Sequence, residues 1–214
     1  MKLKKPLAAK VNAIEAKSKE LGFVANCDLE VANLCAVLAR GVGGDWLELG
    51  TGTGLSTLFL AEVMSDGRLD TVDNDEAVSA VAKQEIGADR NISFIVEDGG
   101  KFLKSCRPET YRFIFADAWP GKFSHLNYAL EALELGGLYV IDDLLPQDNW
   151  PPAHQPRVDA LLALFQQAEN FAISYLDWAS GVAIVTKLDG GGIAAPLVDQ
   201  SDFAFLVSDD MPNF

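Results

Sequence analysis

The chain is poor in the residues on which several classes of protein depend. Its 214 residues include only three cysteines, Cys27, Cys35 and Cys106, and only two histidines. No CxxC pair occurs, so we expect reduced thiols in a cytoplasmic protein and no disulfide framework. Two histidines are too few for a histidine-rich zinc centre.

A long apolar segment and an excess of base are also missing. No run approaches the roughly 18 apolar residues of a membrane helix, and the basic start has no apolar region of a secretory signal. Asp and Glu total 31 against 17 Lys and Arg, a net charge of −14. Because an acid-rich chain repels phosphate backbones, we expect neither a membrane nor a nucleic acid as partner.

The charge is unevenly distributed along the chain. Residues 1–20 contain six Lys and two Glu, whereas residues 189–214 contain five Asp and no base. Both ends can be solvated, or the basic segment of one chain can meet the acidic tail of another in a homodimer. We divide the single domain into a helical segment over 1–40 packed on the core, a core over 41–188 and an acidic tail over 189–214.

Hydrophobic patterns alternate between the periods of helices and strands. Helical spacing covers 6–20, 28–39, 55–65, 76–87, 124–134 and 157–168, and strand patterns cover 46–49, 69–73, 91–97, 113–116, 138–142, 171–177 and 181–187. This alternation predicts an α/β fold with a mostly parallel sheet covered by helices on both faces. Only residues 178–180 join the last two strands, so we expect those two to pair antiparallel at the edge.

A glycine-rich loop follows the first predicted strand. Gly50, Gly52 and Gly54 separate it from the next helix, where glycine permits a tight turn and close approach to a ligand. Any strand-to-helix turn favours glycine, so the three glycines alone are weak evidence for a ligand-binding loop. Glu48 precedes it, and a carboxylate there suits a cationic ligand group and not a pyrophosphate. The G-x-G-x-G spacing also departs from the dinucleotide fingerprint.

Acidic residues end the next two predicted strands. Asp73 ends the second, where a carboxylate can accept hydrogen bonds from ribose hydroxyls. Asp98, followed by Gly99, ends the third, where a carboxylate could receive an adenine amino group. Three acids, each at the carboxyl end of a strand, indicate a nucleoside-containing ligand.

Residues 45–187 resemble the class I S-adenosylmethionine-dependent methyltransferases. Five stretches are similar to the ordered motifs of that family: LELGTGTG, LDTVD, VEDG, FADAW and LYVIDD. Within the family, the likeness is to the small bacterial and catechol-type O-methyltransferases. It implies a doubly wound, Rossmann-like, seven-stranded and mostly parallel sheet with an antiparallel edge strand. It also implies S-adenosylmethionine as cofactor and O-methylation of a small hydroxylated molecule.

The resemblance implies roles for individual residues in cofactor binding. Glu48 and Asp73 would hold the methionine and ribose ends, Asp98 would face the adenine, and Ser56 could contact the cofactor carboxylate. Trp119 would pack near the adenine, although ordinary core packing explains it equally well. The other residues expected at the cofactor are Gly50, Thr51, Gly52, Gly99 and Asp117.

A metal site is a second implication of the resemblance. The strand order of the family places the fourth and fifth strands side by side, and Asp117 and Asp142 end them. Two carboxylates so close repel, and Mg²⁺ or Ca²⁺ would remove the conflict. Catechol-type enzymes use Asp, Asp and Asn at these places. Here Asp143 takes the third position, which could strengthen metal binding or indicate another use.

The identity of a catalytic base is left open by the sequence. Catechol-type enzymes place a lysine three residues after the first Asp, whereas here Lys122 follows Asp117 by five. Asp117, Lys122 and His125 are the candidate catalytic residues. Lys122 and His125 are the candidate bases, although His125 can instead cap a helix. A metal could instead lower the pKa of the acceptor hydroxyl. The loop over 148–154 either walls the acceptor pocket or is a rigid connector.

Three other functions compete with O-methylation. A nicotinamide-dependent oxidoreductase shares the layered fold, but Glu48, the glycine spacing and the lack of a Tyr-x-x-x-Lys motif argue against it. A non-catalytic S-adenosylmethionine-binding protein would keep the same motifs. Methyl transfer to nitrogen or to a protein side chain is disfavoured because no Asn/Asp-Pro-Pro-Tyr motif follows FADAW.

Overall fold

Helices and strands alternate along the chain, as the sequence predicts. The computed structural model of the protein describes residues 4–87, 91–147, 150–152, 154–190 and 193. The helices of this part are α1 Lys5–Leu21, α2 Leu29–Val42, α3 Leu55–Val63, α4 Glu76–Ile86, α5 Gly99–Ser105, α6 Leu126–Ala132 and α7 His154–Gln167. The strands are β1 Trp46–Leu49, β2 Leu69–Asp73, β3 Ile92–Val96, β4 Tyr111–Ala116, β5 Leu133–Ile141, β6 Phe171–Leu176 and β7 Val182–Lys187.

The strands form one seven-stranded sheet in the order β3-β2-β1-β4-β5-β7-β6. Strands β1 to β5 pair in parallel, and β7 pairs antiparallel with both β5 and β6. The predicted mostly parallel sheet with an antiparallel hairpin at one edge is therefore confirmed. In detail, β6 forms the edge, and the antiparallel strand β7 lies one place inside it.

Hydrophobic cores cover both faces of the sheet. On β4, Phe113 and Phe115 pack with the buried side chains of α1, α2 and α3, whereas Ile114 and Ala116 pack with those of α5, α6 and α7. Alternate residues of one strand thus enter opposite cores, as the pleat requires. Since helices close both faces, the carboxyl ends of the parallel strands are the edge where a ligand can enter.

The predicted elements differ from the structure mainly at their ends and at one missed helix. The helix α5 was not predicted, because its sequence GGKFLKS begins with two glycines. The Asp98 carboxylate caps it by accepting a hydrogen bond from the Lys101 amide at 2.8 Å. The helix expected to reach residue 134 ends at Ala132, and β5 begins at Leu133.

The N-terminal helices lie on the sheet domain. Helix α1 contacts α3 and α4, and α2 contacts α3, β4 and β5. Most of the acidic tail over 189–214 lies outside the described residues, so its predicted contact with another chain is not visible. Among the described residues, no helix combines the length and apolar character needed to cross a membrane.

Helix α3 packs so closely on α4 at Gly54 that a side chain there would clash. Its φ is +94°, and a Cβ built there would lie 2.5 Å from the Ala82 Cβ. Gly22 has a similar φ of +69° with no atom within 4 Å of a built Cβ. We expect Gly22→Ala to lower the free energy of unfolding by about 1 kcal/mol through backbone strain. Gly54→Ala adds overpacking and should cost about 3 kcal/mol. Urea denaturation measures both, and equal losses would contradict the packing argument.

Candidate functional site

Two cavities meet at the carboxyl edge of the sheet. The first, about 300 Å³, lies over the ends of β1, β2 and β4. The second, about 770 Å³, extends past the end of β5. Both are lined by Ala25, Asn26, Cys27, Asp117 and Trp119. A molecule in one cavity can therefore reach a molecule in the other at this shared boundary.

The glycine loop and Asp73 shape the first cavity. Gly50 has a φ of +101°, and a Cβ there would lie 2.6 Å from the Asp117 backbone oxygen, so only glycine fits. The Asp73 carboxylate accepts hydrogen bonds from the amides of Gly52 at 2.7 Å and Asp75 at 2.9 Å. Asp73 thus fixes the loop while it lines the cavity.

The structure brings nearly all of the predicted cofactor residues together. Those that line the first cavity are Gly50, Thr51, Gly52, Ser56, Asp73, Asp98, Gly99, Asp117 and Trp119. They come from the ends of β1, β2 and β4, the start of α5 and the first turn of α3. Acid and glycine at strand ends were the sequence signal for this set.

Glu48 is the exception, and its predicted contact with a ligand is not realised in the structure. The residue is 0% exposed and does not line either cavity. Its Oε2 accepts hydrogen bonds from the hydroxyls of Thr57 at 2.5 Å and Thr71 at 2.6 Å. Burial raises the pKa of Glu48 to about 7, against the lowering effect of these hydrogen bonds. Glu48 therefore ties β1 to β2 and α3 beneath the loop.

Asp117 and Asp142 end the neighbouring strands β4 and β5, as predicted. Asp142 is 1% exposed, and it accepts hydrogen bonds at Oδ1 from the Ser180 hydroxyl and the Asp143 amide. Burial raises the pKa of Asp117 well above its ordinary range, and the charge of Asp142 raises it further. Burial likewise raises the pKa of Asp142 to about 6. Proximity of like charges in a buried place is the cause that both share.

Lys122 does not lie where a general base would be needed. Its side chain is 2% exposed and does not line either cavity. The ammonium donates to the Asp142 backbone oxygen at 2.9 Å and lies 3.7 Å from Asp143 Oδ2. Lys122 therefore supports the turn after β5 from behind, and this position argues against Lys122 as the candidate base.

His125 is also remote from both cavities. It precedes α6 with a φ of 55°, and its ring packs against Gly100, where a Cβ would lie 2.5 Å from the ring Cε1. The Nδ1 atom lies 3.1 Å from the Ser124 hydroxyl. His125 occupies the N-cap position of α6 without a capping hydrogen bond from its side chain, and it lines neither cavity.

The donors available for a metal differ from the predicted set. The ligand atoms of Cys27, Asp117 and Asp142 all lie within 4.8 Å of one another. Asp143 is not part of this group and lies beside Lys122 instead. One buried carboxylate, that of Asp142, and one partly exposed carboxylate, that of Asp117, fit a divalent cation in charge and spacing. The Cys27 thiol, which donates to Asp142 Oδ2 at 3.6 Å, is a softer ligand than Mg²⁺ or Ca²⁺ usually takes.

The segment between α1 and α2 lines both cavities, a position that the sequence allows but that nothing in its chemistry requires. Phe23 lies against Gly52, where a Cβ would be 3.1 Å from the ring. Asn26 accepts a hydrogen bond from the Thr53 hydroxyl at 2.7 Å. These contacts hold the segment across both cavities.

The loop after β5 forms a wall of the second cavity. Leu145, Pro146, Gln147, Trp150 and Pro151 line it. The His154 ring stacks on the Trp150 indole at 4.3 Å, and its Nε2 lies 2.9 Å from the Asp143 backbone oxygen.

Burial lowers the pKa of His154, so the neutral ring donates this hydrogen bond from Nε2. The described part of the loop is therefore both a cavity wall and a braced connector. Residues 148, 149 and 153 lie outside the described residues.

Comparison with known proteins agrees with this arrangement. A family model described as O-methyltransferase matches residues 29–182, more than half of the chain. A curated Arabidopsis thaliana protein, provisionally named a caffeoyl-CoA O-methyltransferase, is 27% identical over 159 residues. That match covers 66% of this chain and 68% of the relative.

Solved structures share the fold at low sequence identity. The O-methyltransferase TomG of Streptomyces achromogenes, in complex with S-adenosylmethionine, is 19% identical with a TM-score of 0.73. The match covers 88% of this chain and 92% of TomG. An O-methyltransferase from Bacillus cereus, in complex with S-adenosylhomocysteine, is 17% identical with a TM-score of 0.69 over 84% of this chain and 90% of its own. At these identities the likeness establishes the fold.

The raised pKa of Glu48 predicts that the stability of the folded protein depends on pH. A carboxyl whose pKa is raised on folding stabilises the protein fully below its unfolded pKa of 4.5, and the stabilisation is lost as pH rises through about 7. Between pH 5 and pH 8 we expect wild type to lose about 3 kcal/mol relative to Glu48→Gln. Chemical denaturation at the two pH values measures this difference. The exposed Glu15→Gln is the matched control, and a Glu48→Gln profile parallel to wild type would contradict the assignment.

Proposed function

This chain belongs to the O-methyltransferase family, and from that premise we propose that it transfers the methyl group of S-adenosylmethionine to an oxygen of a small acceptor molecule. The observation that carries the proposal is the junction of the two cavities at Asp117. The first cavity has the strand-end acids and glycines expected around a nucleoside. The second, larger cavity is the place for the acceptor.

In the proposed complex, the first cavity holds the cofactor. Asp73 accepts hydrogen bonds from the ribose hydroxyls, and Asp98 and Gly99 border the adenine. The backbone of Gly50 and Gly52 allows the methionine portion to lie close to the loop. Asp117, at the boundary, attracts the cofactor's cationic groups. Complexes of TomG and the Bacillus cereus enzyme with the cofactor or its product support the choice of ligand.

The reaction is an in-line displacement. An acceptor oxygen attacks the methyl carbon, a carbon–oxygen bond forms, the carbon–sulfur bond breaks, and S-adenosylhomocysteine leaves with the former bonding pair on sulfur. The hydroxyl proton passes to a carboxylate or to water. Because the donor is already activated, the protein contributes mainly alignment and exclusion of water. Asp117 borders both cavities, so its carboxylate can accept a hydrogen bond from the acceptor hydroxyl.

Asp117 and Asp142, with Cys27 as a third donor, would hold a divalent cation. Such a cation would supply a Lewis acid that lowers the pKa of an acceptor hydroxyl. Asp142 itself is oriented by the Ser180 hydroxyl and the Asp143 amide, and Lys122 fixes the backbone behind it. These residues set the position of the Asp142 carboxylate whether or not a cation is bound.

The cellular context extends the proposal. The free thiols of Cys27, Cys35 and Cys106 are those of a cytoplasmic protein. Helix α1 carries Lys5, Lys10, Lys17 and Lys19, and the tail sequence is acidic. This complementarity supports a homodimer, which gel filtration at low and high salt would test.

The cofactor assignment is tested by calorimetric titration with S-adenosylmethionine, with NAD as a control. We expect micromolar-range binding of the former alone. Asp73→Asn removes one ribose acceptor and should weaken binding about tenfold. Asp75→Asn, two residues away and able to keep its helix cap, should leave it unchanged. Binding of NAD alone, or equal affinities of the two variants, would contradict the assignment.

The metal assignment is tested by titrating Mg²⁺ and Ca²⁺ into wild type, Asp142→Asn and Asp143→Asn. Loss of the buried carboxylate in Asp142→Asn should abolish the binding heat. Asp143→Asn should bind within a few-fold of wild type, because Asp143 lies beside Lys122. Flat isotherms for all three proteins would remove the metal from the proposal. Loss of metal binding in Asp143→Asn alone would show that Asp143, and not Asp142, is the ligand.

A further inference from the structure

The charge that lines the second cavity has one sign. Its acidic side chains are Asp28, Asp117, Asp142 and Asp143, and none of its lining residues is Lys, Arg or His. Asp28 is exposed at the start of α2, and it lines the second cavity but not the first. Burial raises the pKa of Asp28, and the charges of Glu30 and Asp143 raise it further. An approaching ligand therefore meets carboxylates both at the rim and at the base.

Two cations lie near the cavity, but neither lines it. Lys122 lies behind the base, with its ammonium beside Asp143. The Arg157 guanidinium lies over the Trp119 ring, 4.7 Å from its centroid. The sequence over 194–214, outside the described residues, contains no Lys, Arg or His. The described cavity thus has no cationic side chain to hold a phosphate or a carboxylate.

Two indole rings complete the wall. Trp119 and Trp150 both line the cavity. The Trp150 Nε1 atom is buried and has no hydrogen-bond partner among the described residues. Indole faces attract organic cations through the ring quadrupole, and carboxylates nearby add to that attraction. Aromatic walls with acidic groups form a recognised type of ammonium-binding cavity.

Resting on the proposed methyl transfer, we propose that the acceptor is a small hydroxylated molecule that carries a positively charged nitrogen, and that coenzyme A thioesters are excluded. The hydroxyl lies at Asp117, and the cation lies outward between the indoles and Asp28. A divalent cation at Asp117 and Asp142 would neutralise the base of the cavity and leave the negative charge of Asp28, so the preference holds in either state. The likeness to a protein named for a caffeoyl-CoA substrate therefore does not extend to the acceptor.

A matched set of phenols tests the inference. Tyramine, 4-ethylphenol and 4-hydroxyphenylacetate have nearly the same size and differ in charge. Calorimetric titrations into protein saturated with S-adenosylhomocysteine avoid turnover. We expect tyramine to bind at least about tenfold more tightly than 4-hydroxyphenylacetate, with 4-ethylphenol between them. Coenzyme A should show no binding, and 0.5 M salt should weaken tyramine binding alone.

Variants assign the preference to the rim. Asp28→Asn should reduce the tyramine preference about three- to tenfold, and Asp28→Lys should favour 4-hydroxyphenylacetate over tyramine. Glu15→Gln is the matched control, because Glu15 is exposed on α1 and does not line the cavity. Retained binding of S-adenosylhomocysteine shows that each variant is folded.

The outcomes separate the two proposals. If S-adenosylhomocysteine does not bind wild type, the proposed function fails, and titrations without it still test the charge preference. If it binds and 4-hydroxyphenylacetate or coenzyme A binds as tightly as tyramine, the inference is overturned. Absence of binding by all three phenols at 10 mM, or an unchanged preference in Asp28→Lys, overturns it as well.

Discussion

The burial of like charge at one edge of the sheet is the constraint around which this site is arranged. Parallel pairing brings Asp117 and Asp142 together at the ends of β4 and β5, and Asp143 follows directly. Three carboxylates in a poorly solvated place are costly unless donors and a cation surround them. Asp142 accepts hydrogen bonds from Ser180, the Asp143 amide and the Cys27 thiol. Lys122 adds the buried positive charge.

The same compensation shapes the cavity wall. Asp143 has a φ of 62°, an uncommon conformation for a residue other than glycine. The turn is held by Lys122, bonded to the Asp142 oxygen, and by His154, bonded to the Asp143 oxygen. His154 also stacks on Trp150. The groups that support the carboxylates therefore also fix the Trp150 indole that lines the second cavity, so charge burial and cavity shape are coupled.

Most of the fold and the outline of the cofactor site could be predicted from the sequence, because both depend on local patterns. Strand runs that end in acid or glycine locate the carboxyl edge, and that edge contains Asp73, Asp98 and Asp117. What failed depends on side-chain direction or on distant contacts. Glu48 lies in a strand buried on both faces, so a four-residue apolar run does not reveal which way its carboxylate points. The segment over 23–28 reaches the site through packing on a loop some 25 residues later, for which no local pattern exists.

Carboxylates at the boundary between the two cavities have opposite effects on binding of the methyl donor and on the methyl-transfer step. Carboxylates attract the sulfonium of the donor, but the sulfonium charge disappears as the methyl group leaves, so this attraction by itself favours the reactant over the transition state. Two features of the site partly offset the negative charge that causes this effect. Lys122 lies behind Asp142 and Asp143, and the raised pKa of Asp117, caused by burial and by Asp142, allows that carboxyl to share a proton. A phenolic acceptor that gives up its proton at this boundary supplies negative charge on the attacking oxygen where the positive charge on sulfur is lost. The buried charges therefore suit an acceptor that enters with its hydroxyl protonated and reacts as it loses that proton.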